Sequence, residues 1–141
     1  MAHKCKAFII HCMDFRLQKS MKEYLERKNL LGDCDVVSVA GGVKNLLTPK
    51  NPSDRDFLLG QIEISVNLHK IQEVILSNHT DCGAYGGSDQ FSFLEKECEF
   101  HIQEMGKARD LILSNFPEVK ISMVLGKILP SGEVELVEIR D

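Results

Sequence analysis

Two short segments of this chain each end an apolar run with metal-binding side chains, and any fold it adopts must bring the ends of those runs together. Ala7-Phe8-Ile9-Ile10 leads into His11-Cys12-Met13-Asp14-Phe15-Arg16, and Val74-Ile75-Leu76 leads into Ser77-Asn78-His79-Thr80-Asp81-Cys82-Gly83. Continuous apolar runs of this length suit strands buried on both faces, as in a parallel sheet with helices on either side. Cys12, His79 and Cys82 then lie at or just beyond strand carboxyl ends, where open α/β sheets hold their ligands.

The intervening chain alternates in the same way. Leu17, Met21, Tyr24 and Leu25 fall at helical spacing within a segment expected to run from Leu17 to Leu31 and stop at Gly32. A second strand is expected over Asp35–Val39, broken by Gly41-Gly42, and a loop over Leu47–Pro52. Ser53-Asp54-Arg55-Asp56 has the form of a capping box that opens a helix to about Lys70. Glu73–Asn78 is the third strand. A long helix is expected over Phe91–Phe116, with Leu94, Cys98, Ile102, Met105, Ala108 and Ile112 on its inward stripe and Pro117 closing it. Val119–Leu129, the turn Pro130-Ser131-Gly132 and Glu133–Ile139 complete a C-terminal hairpin with an edge strand. Strands alternating with helices argue for an α/β fold with a mostly parallel central sheet flanked by helices. At 141 residues the chain is expected to be a single domain, 1–141.

Two thiols and an imidazole suit a borderline-soft dication such as Zn²⁺, and three protein ligands leave the open fourth position of a catalytic site. In an extended segment, residues two apart share a side, so Cys12, Asp14 and Arg16 are expected to face one spot. Zinc in such a site lowers the pKa of bound water from ~15.7 to about 7. Two thiolates reduce the metal's charge, so an acceptor that orients the hydroxide becomes useful. Asp14 suits that role, with Arg16 holding it ionised. The alternative for Asp14 and Arg16 is an ordinary surface ion pair.

C-x-D-x-R at Cys12-Met13-Asp14-Phe15-Arg16, then Ala40-Gly41-Gly42, then His79-Thr80-Asp81-Cys82-Gly83, resembles the β-class carbonic anhydrases over most of the chain. The resemblance implies a parallel sheet wrapped by helices and one zinc per chain on Cys12, His79 and Cys82. Asp14 and Arg16 would be catalytic, and Ala40, Gly41, Gly42 and Gly83 would form backbone around the substrate. It further implies hydration of CO₂ to bicarbonate in a homodimer or larger homo-oligomer. In some family members the aspartate swings onto zinc and closes the site, which Asp14 could do if Arg16 released it. Two other functions fit the same scaffold: hydrolysis of CS₂ or COS, and a zinc-binding relative without catalysis.

The chain also departs from the family pattern. Ser38 and Val39 stand where the family commonly has Arg-Asn, and Phe15 stands where many members have a small residue. The usual N-terminal helical arms are expected to be absent, and the segment between Cys82 and the hairpin is short. Phe15, Phe91 and Phe93 are candidate interface anchors, the other reading being a place in the monomer's own core.

Several residues carry plainer readings. Cys5, Cys34 and Cys98 lack the spacing of a disulfide framework and read as small, partly buried hydrophobes. His11 points opposite to Cys12 in a regular strand, so it reads as a packed or surface histidine. His101 forms C-x-x-H with Cys98, read as a core or interface stripe, with a second metal site as the other possibility. Asp81 reads as a loop or capping acid, and Gly83 as a residue that shapes the loop after Cys82. Tyr85, like Phe15, could shape the pocket or simply pack.

Free thiols and thiolate ligands favour a reducing cytoplasm, and the N-terminus has no cleavage site of the signal-peptide type. A net charge of −4 gives no reason to expect nucleic acid or an anionic membrane as partner. No apolar run approaches the ~20 residues of a membrane span. The expected partner is a small-molecule substrate.

Overall fold

A computed structural model describes residues 3–140. Five strands form one sheet: β1 (Ala7–His11), β2 (Cys34–Ser38), β3 (Glu73–His79), β4 (Lys120–Ile128) and β5 (Val134–Ile139). Their order is β2-β1-β3-β4-β5. All neighbours are parallel except β4 and β5, which form the antiparallel C-terminal hairpin.

The apolar runs follow from burial on both faces. Ala7 and Ile9 of β1, Ile75 of β3 and Val124 of β4 pack with Leu17, Met21, Tyr24 and Leu25. The alternate residues Phe8, Ile10, Val74, Leu76, Met123 and Leu125 face the other way, onto Leu46, Leu58, Ile62, Met105, Ala108 and Ile112. Helix α1 (Gln18–Arg27) thus covers one face. Helices α2 (Lys44–Leu47), α3 (Pro52–His69) and α4 (Leu94–Asn115) cover the other.

Four local expectations change. α1 ends at Arg27, ahead of Gly32, because Asn29 already turns left-handed at φ 57°. Leu47 closes the short helix α2, so the loop begins at Thr48. α3 starts at Pro52, where proline's missing N–H costs nothing. The capping pair is therefore Asn51 and Asp54, whose carboxylate accepts the Asn51 N–H at 3.3 Å, rather than Ser53 and Asp56. α4 starts at Leu94, and the expected stripe holds for Met105, Ala108 and Ile112 in the core with Cys98 and Ile102 packed against it. Leu94 is exposed and Cys98 and Ile102 are half-buried, whereas Glu97, His101 and Glu104 are buried. Among the described residues, no helix is long and apolar enough to cross a membrane.

The order of the strands sets the position of the crevice. From β1 the chain steps to β2 on one side, then returns past β1 to place β3 on the other. The carboxyl ends of β1 and β3 flank this reversal, and ligands bind at such switch points. Cys12 follows β1 directly, and His79 is the last residue of β3.

Candidate metal centre

Cys12, His79 and Cys82 are all buried, and their donor atoms lie within 4.8 Å of one another. The two Sγ atoms are 4.0 Å apart. Thiolates at tetrahedral positions about 2.3 Å from zinc would be about 3.8 Å apart, so the observed spacing fits. His79 Nδ1 donates to the Thr80 carbonyl at 2.6 Å, which leaves Nε2 without its proton and free to bind metal. Nε2 is buried and has no hydrogen-bond partner among the described residues. A buried, unpartnered imidazole nitrogen facing two thiols is costly unless a cation meets it.

The thiols interact as a pair. The hydrogen bond from Cys82 lowers the Cys12 pKa, burial opposes this, and His79 and the Gly41 N–H assist it. The same Cys12–Cys82 bond, together with burial, pushes Cys82 up. Gly41 donates its N–H to Cys12 Sγ at 3.4 Å. Gly41 and Gly42 have φ of +84° and +52°, where glycine is favoured. A Cβ on Gly42 would meet the Ser77 carbonyl oxygen at 2.8 Å and Asn78 Oδ1 at 3.0 Å, so this turn admits only glycine against β3. Ala40 is exposed, and its carbonyl accepts from Asn45 Nδ2 at 2.7 Å.

Asp14 and Arg16 do meet beside these donors, though not along an extended segment. β1 stops at His11, and Asp14 caps a 3₁₀ turn over Phe15–Leu17 in which its carboxylate accepts the Arg16 N–H at 2.9 Å. Arg16 Nε reaches Asp14 Oδ1 at 3.0 Å and Nη2 reaches Oδ2 at 2.7 Å. This bidentate pair holds the Asp14 carboxyl below its usual range, against the opposing effect of burial. Asp14 Oδ2 lies 3.9 Å from His79 Nε2.

The sequence reading missed the other half of the guanidinium's contacts. Arg16 Nη1 pairs with Asp81 Oδ2 at 3.1 Å, and Nη2 also donates to the Asp81 carbonyl at 3.1 Å. Asp81 is left-handed at φ 55° and also accepts the Ser88 N–H at 3.0 Å. It is the loop acid expected, and it also clamps Arg16. Asn78 was missed as well. Its Oδ1 accepts the Val43 N–H at 3.3 Å, which ties the Gly41-Gly42 turn to β3. Its Nδ2 donates to Tyr85 Oη at 3.2 Å and to His101 Nδ1 at 3.1 Å. An asparagine closing an apolar strand was the available signal.

The remaining candidates divide. His11 is half-buried, with Nδ1 on the Cys12 carbonyl at 2.8 Å. His101 is fully buried among Tyr85, Phe91 and Phe100, and burial lowers its pKa to about 4. Gly83 has open space where a Cβ would stand and lacks a positive φ, so nothing local demands glycine there. Phe15 is 77% exposed and Phe93 52%, whereas Phe91 packs against Phe100 with ring centroids 5.3 Å apart. Phe91 is thus half-buried against Phe100 and His101, while the other two lie exposed.

Residues 2–137 match a family model described as "Putative carbonic anhydrase". An "Uncharacterized protein" of Rickettsia bellii is 32% identical over 122 residues, covering 84% of this chain and 74% of that protein. One from Rickettsia conorii is 31% identical over 122 residues, covering 84% of this chain and 66% of its own length. Among solved structures, a carbonic anhydrase from Streptococcus mutans superposes with a TM-score of 0.61 at 20% identity, covering 99% of this chain and 84% of that one. The β-carbonic anhydrase isoform I of Trichomonas vaginalis gives 0.60 at 15% identity, covering 97% and 84%. At these identities the two structures speak for the fold, and the family model speaks for descent. The chain belongs to the β-carbonic-anhydrase-like family.

Proposed function

We propose that the chain catalyses the reversible hydration of CO₂ to bicarbonate, with one zinc ion held by Cys12, His79 and Cys82. The observation that carries this reading is the buried, unpartnered Nε2 of His79, directed into a cluster whose other donors are two thiols. When bound, zinc supplies Lewis acidity that makes water a nucleophile near neutral pH. The chain's own residues do the rest. Thr80 fixes the His79 tautomer through its carbonyl, and the Gly41 N–H steadies the Cys12 sulfur. Asp14, ionised by Arg16, accepts the hydrogen bond that orients the attacking oxygen. Asp81 and Asp14 together hold the guanidinium, so Arg16 is fixed at both ends.

The same reading makes the protein a homodimer or larger. Met13 is 63% exposed and Phe15 77%, both beside the candidate centre, where one chain supplies little wall to exclude water. A cytoplasmic location fits the free cysteines.

Metal analysis and stopped-flow CO₂ hydration test the reading together. Purified protein should carry zinc and hydrate CO₂, and Cys82→Ala should lose the zinc of this centre and nearly all of the activity. Zinc content unchanged by Cys82→Ala would remove the assignment.

A further inference from the structure

A second group of metal-type donors lies away from the centre described above. Cys5 Sγ, an Asp35 carboxylate oxygen and a His69 ring nitrogen all fall within 4.8 Å of one another. Three separate parts of the fold supply them. Cys5 precedes β1, Asp35 is the second residue of β2, and His69 is the last residue of α3. Cys5 and Cys12 lie seven residues apart along an extended segment, roughly 20 Å, so the two groups cannot share an ion.

The group is held in place. The Cys5 N–H donates to the His69 carbonyl at 3.0 Å, fixing the segment before β1 to the end of α3. Ser65, itself buried, donates to Asp35 Oδ2 at 2.6 Å, the kind of support that metal-binding carboxylates receive. His69 Nδ1 meets the same oxygen at 2.6 Å. The His3 ring lies 4.8 Å from the His69 ring, centroid to centroid, which brings a fourth donor to the edge of the group. The His69 and Asp35 side chains are 25% and 31% exposed, enough for an ion to enter.

We propose that Cys5, Asp35 and His69, with His3 as the fourth donor, form a second site for a borderline divalent transition-metal ion, Zn²⁺ above all. One thiol, one or two imidazoles and one carboxylate are zinc's common ligands. A tetrahedral shell with bonds of about 2.0–2.3 Å spaces its donors about 3.3–3.8 Å apart. The His69–Asp35 contact would therefore open by less than about 1 Å, and the ion would replace the proton now shared between them. Bound there, the ion would pin the entry to β1 against α3 and the edge strand β2.

The test is a titration of the metal-free chain with Zn²⁺, and with Co²⁺ as a spectroscopic probe of thiolate bonding. The wild type should take up about two ions, Cys5→Ala and His69→Gln about one each, and Cys82→Ala about one. In the Cys82→Ala chain, the remaining thiolate-to-cobalt charge-transfer band should vanish when Cys5→Ala is added. His69→Gln keeps a hydrogen-bond partner for Asp35, so its loss of metal would not reflect unfolding, and circular dichroism checks this. CO₂ hydration should be unchanged in Cys5→Ala, which separates this site from the centre at Cys12. Uptake of only one ion by the wild type, unaltered by Cys5→Ala and His69→Gln, would reduce the cluster to a hydrogen-bonded latch and overturn the inference.

Discussion

Removing the Arg16 guanidinium tests the proposed chemistry at its most connected residue. Arg16 spans Asp14 on one side and Asp81 on the other, and the two ends differ in solvation. Asp14 is 14% exposed against 28% for Arg16, whereas Asp81 is 49% exposed. A hydrogen bond to a charged group contributes about 1.5–3 kcal/mol, but bonds sharing one guanidinium do not add. The exposed Asp81 end is screened and adds ~0–1 kcal/mol. Arg16→Ala should therefore cost about 2 kcal/mol of stability at neutral pH, nearly all of it from the Asp14 end.

That cost has a defined pH dependence. Arg16 lowers the folded pKa of Asp14, so its contribution is present above the unfolded value, near 4, and is lost as pH falls through the folded value. The stability gap between wild type and variant should thus be flat at neutral pH and close in acid.

The functional effect should be larger than the structural one. Residues that position groups around a metal typically cost about 10–100-fold in activity when removed. Arg16→Ala should lose about that much hydration rate while retaining zinc, because all three ligands remain. Asp14 is 3.9 Å from His79 Nε2, and without its partner it is free to move toward the metal position. Asp14→Ala should lose a similar factor, and the double variant should be little worse than either single one if the two act as a unit. Stopped-flow hydration with parallel zinc analysis measures all three. Full activity in both single variants, or losses that multiply in the double variant, would refute the coupling.

Gly42→Ala should destabilise the fold by about 2–4 kcal/mol, since it combines a left-handed residue with a close contact to the β3 backbone; a shift in denaturant midpoint reads this directly. Burial lowers the folded pKa of His101 to about 4, so stability should fall by about 1.4 kcal/mol for each pH unit between roughly 6.5 and 4, where the unfolded chain binds the extra proton. His101→Gln should remove that slope in pH-dependent unfolding, and an unchanged slope would assign it to other groups. Sedimentation equilibrium should show a dimer or larger species, weakened by Phe15→Ala; a 15.9 kDa monomer hydrating CO₂ at full rate would show that one chain builds the whole pocket.

The middle of the sheet was legible because β1 and β3 are buried on both faces. Phe8 and Ile9 point to opposite helices, and neither face asks for a polar residue there, so Ala7–Ile10 and Val74–Leu76 stand out as unbroken apolar runs. The donors were legible because they end those runs. Helix α2 was not legible, since four residues after a glycine pair are too few to show a period. Asp81 concealed its clamp on Arg16 because that contact joins loops 65 residues apart.

The burial of Glu97, His101 and Glu104 on α4 has a definite cause at the same end of the sheet. The apolar stripe holds from Cys98 to Ile112, Leu94 alone of it is exposed, and the buried polar residues run beside it. Beyond Leu76, β3 and the loop after it stop offering apolar surface and instead present the buried Asn78 Nδ2 and the partly buried Asp81 N–H, donors that call for acceptors. Glu97 takes the Asp81 N–H at 2.7 Å and His101 takes Asn78 Nδ2 at 3.1 Å. Glu104 takes the Tyr85 hydroxyl at 3.2 Å. These residues lie four and then three apart, one face of a helix, and Ala108 continues the same line into the apolar core. Donors left unpaired on β3 and the loop after it would cost more than exposing Leu94, so this polar line of α4 turns inward beside the apolar stripe.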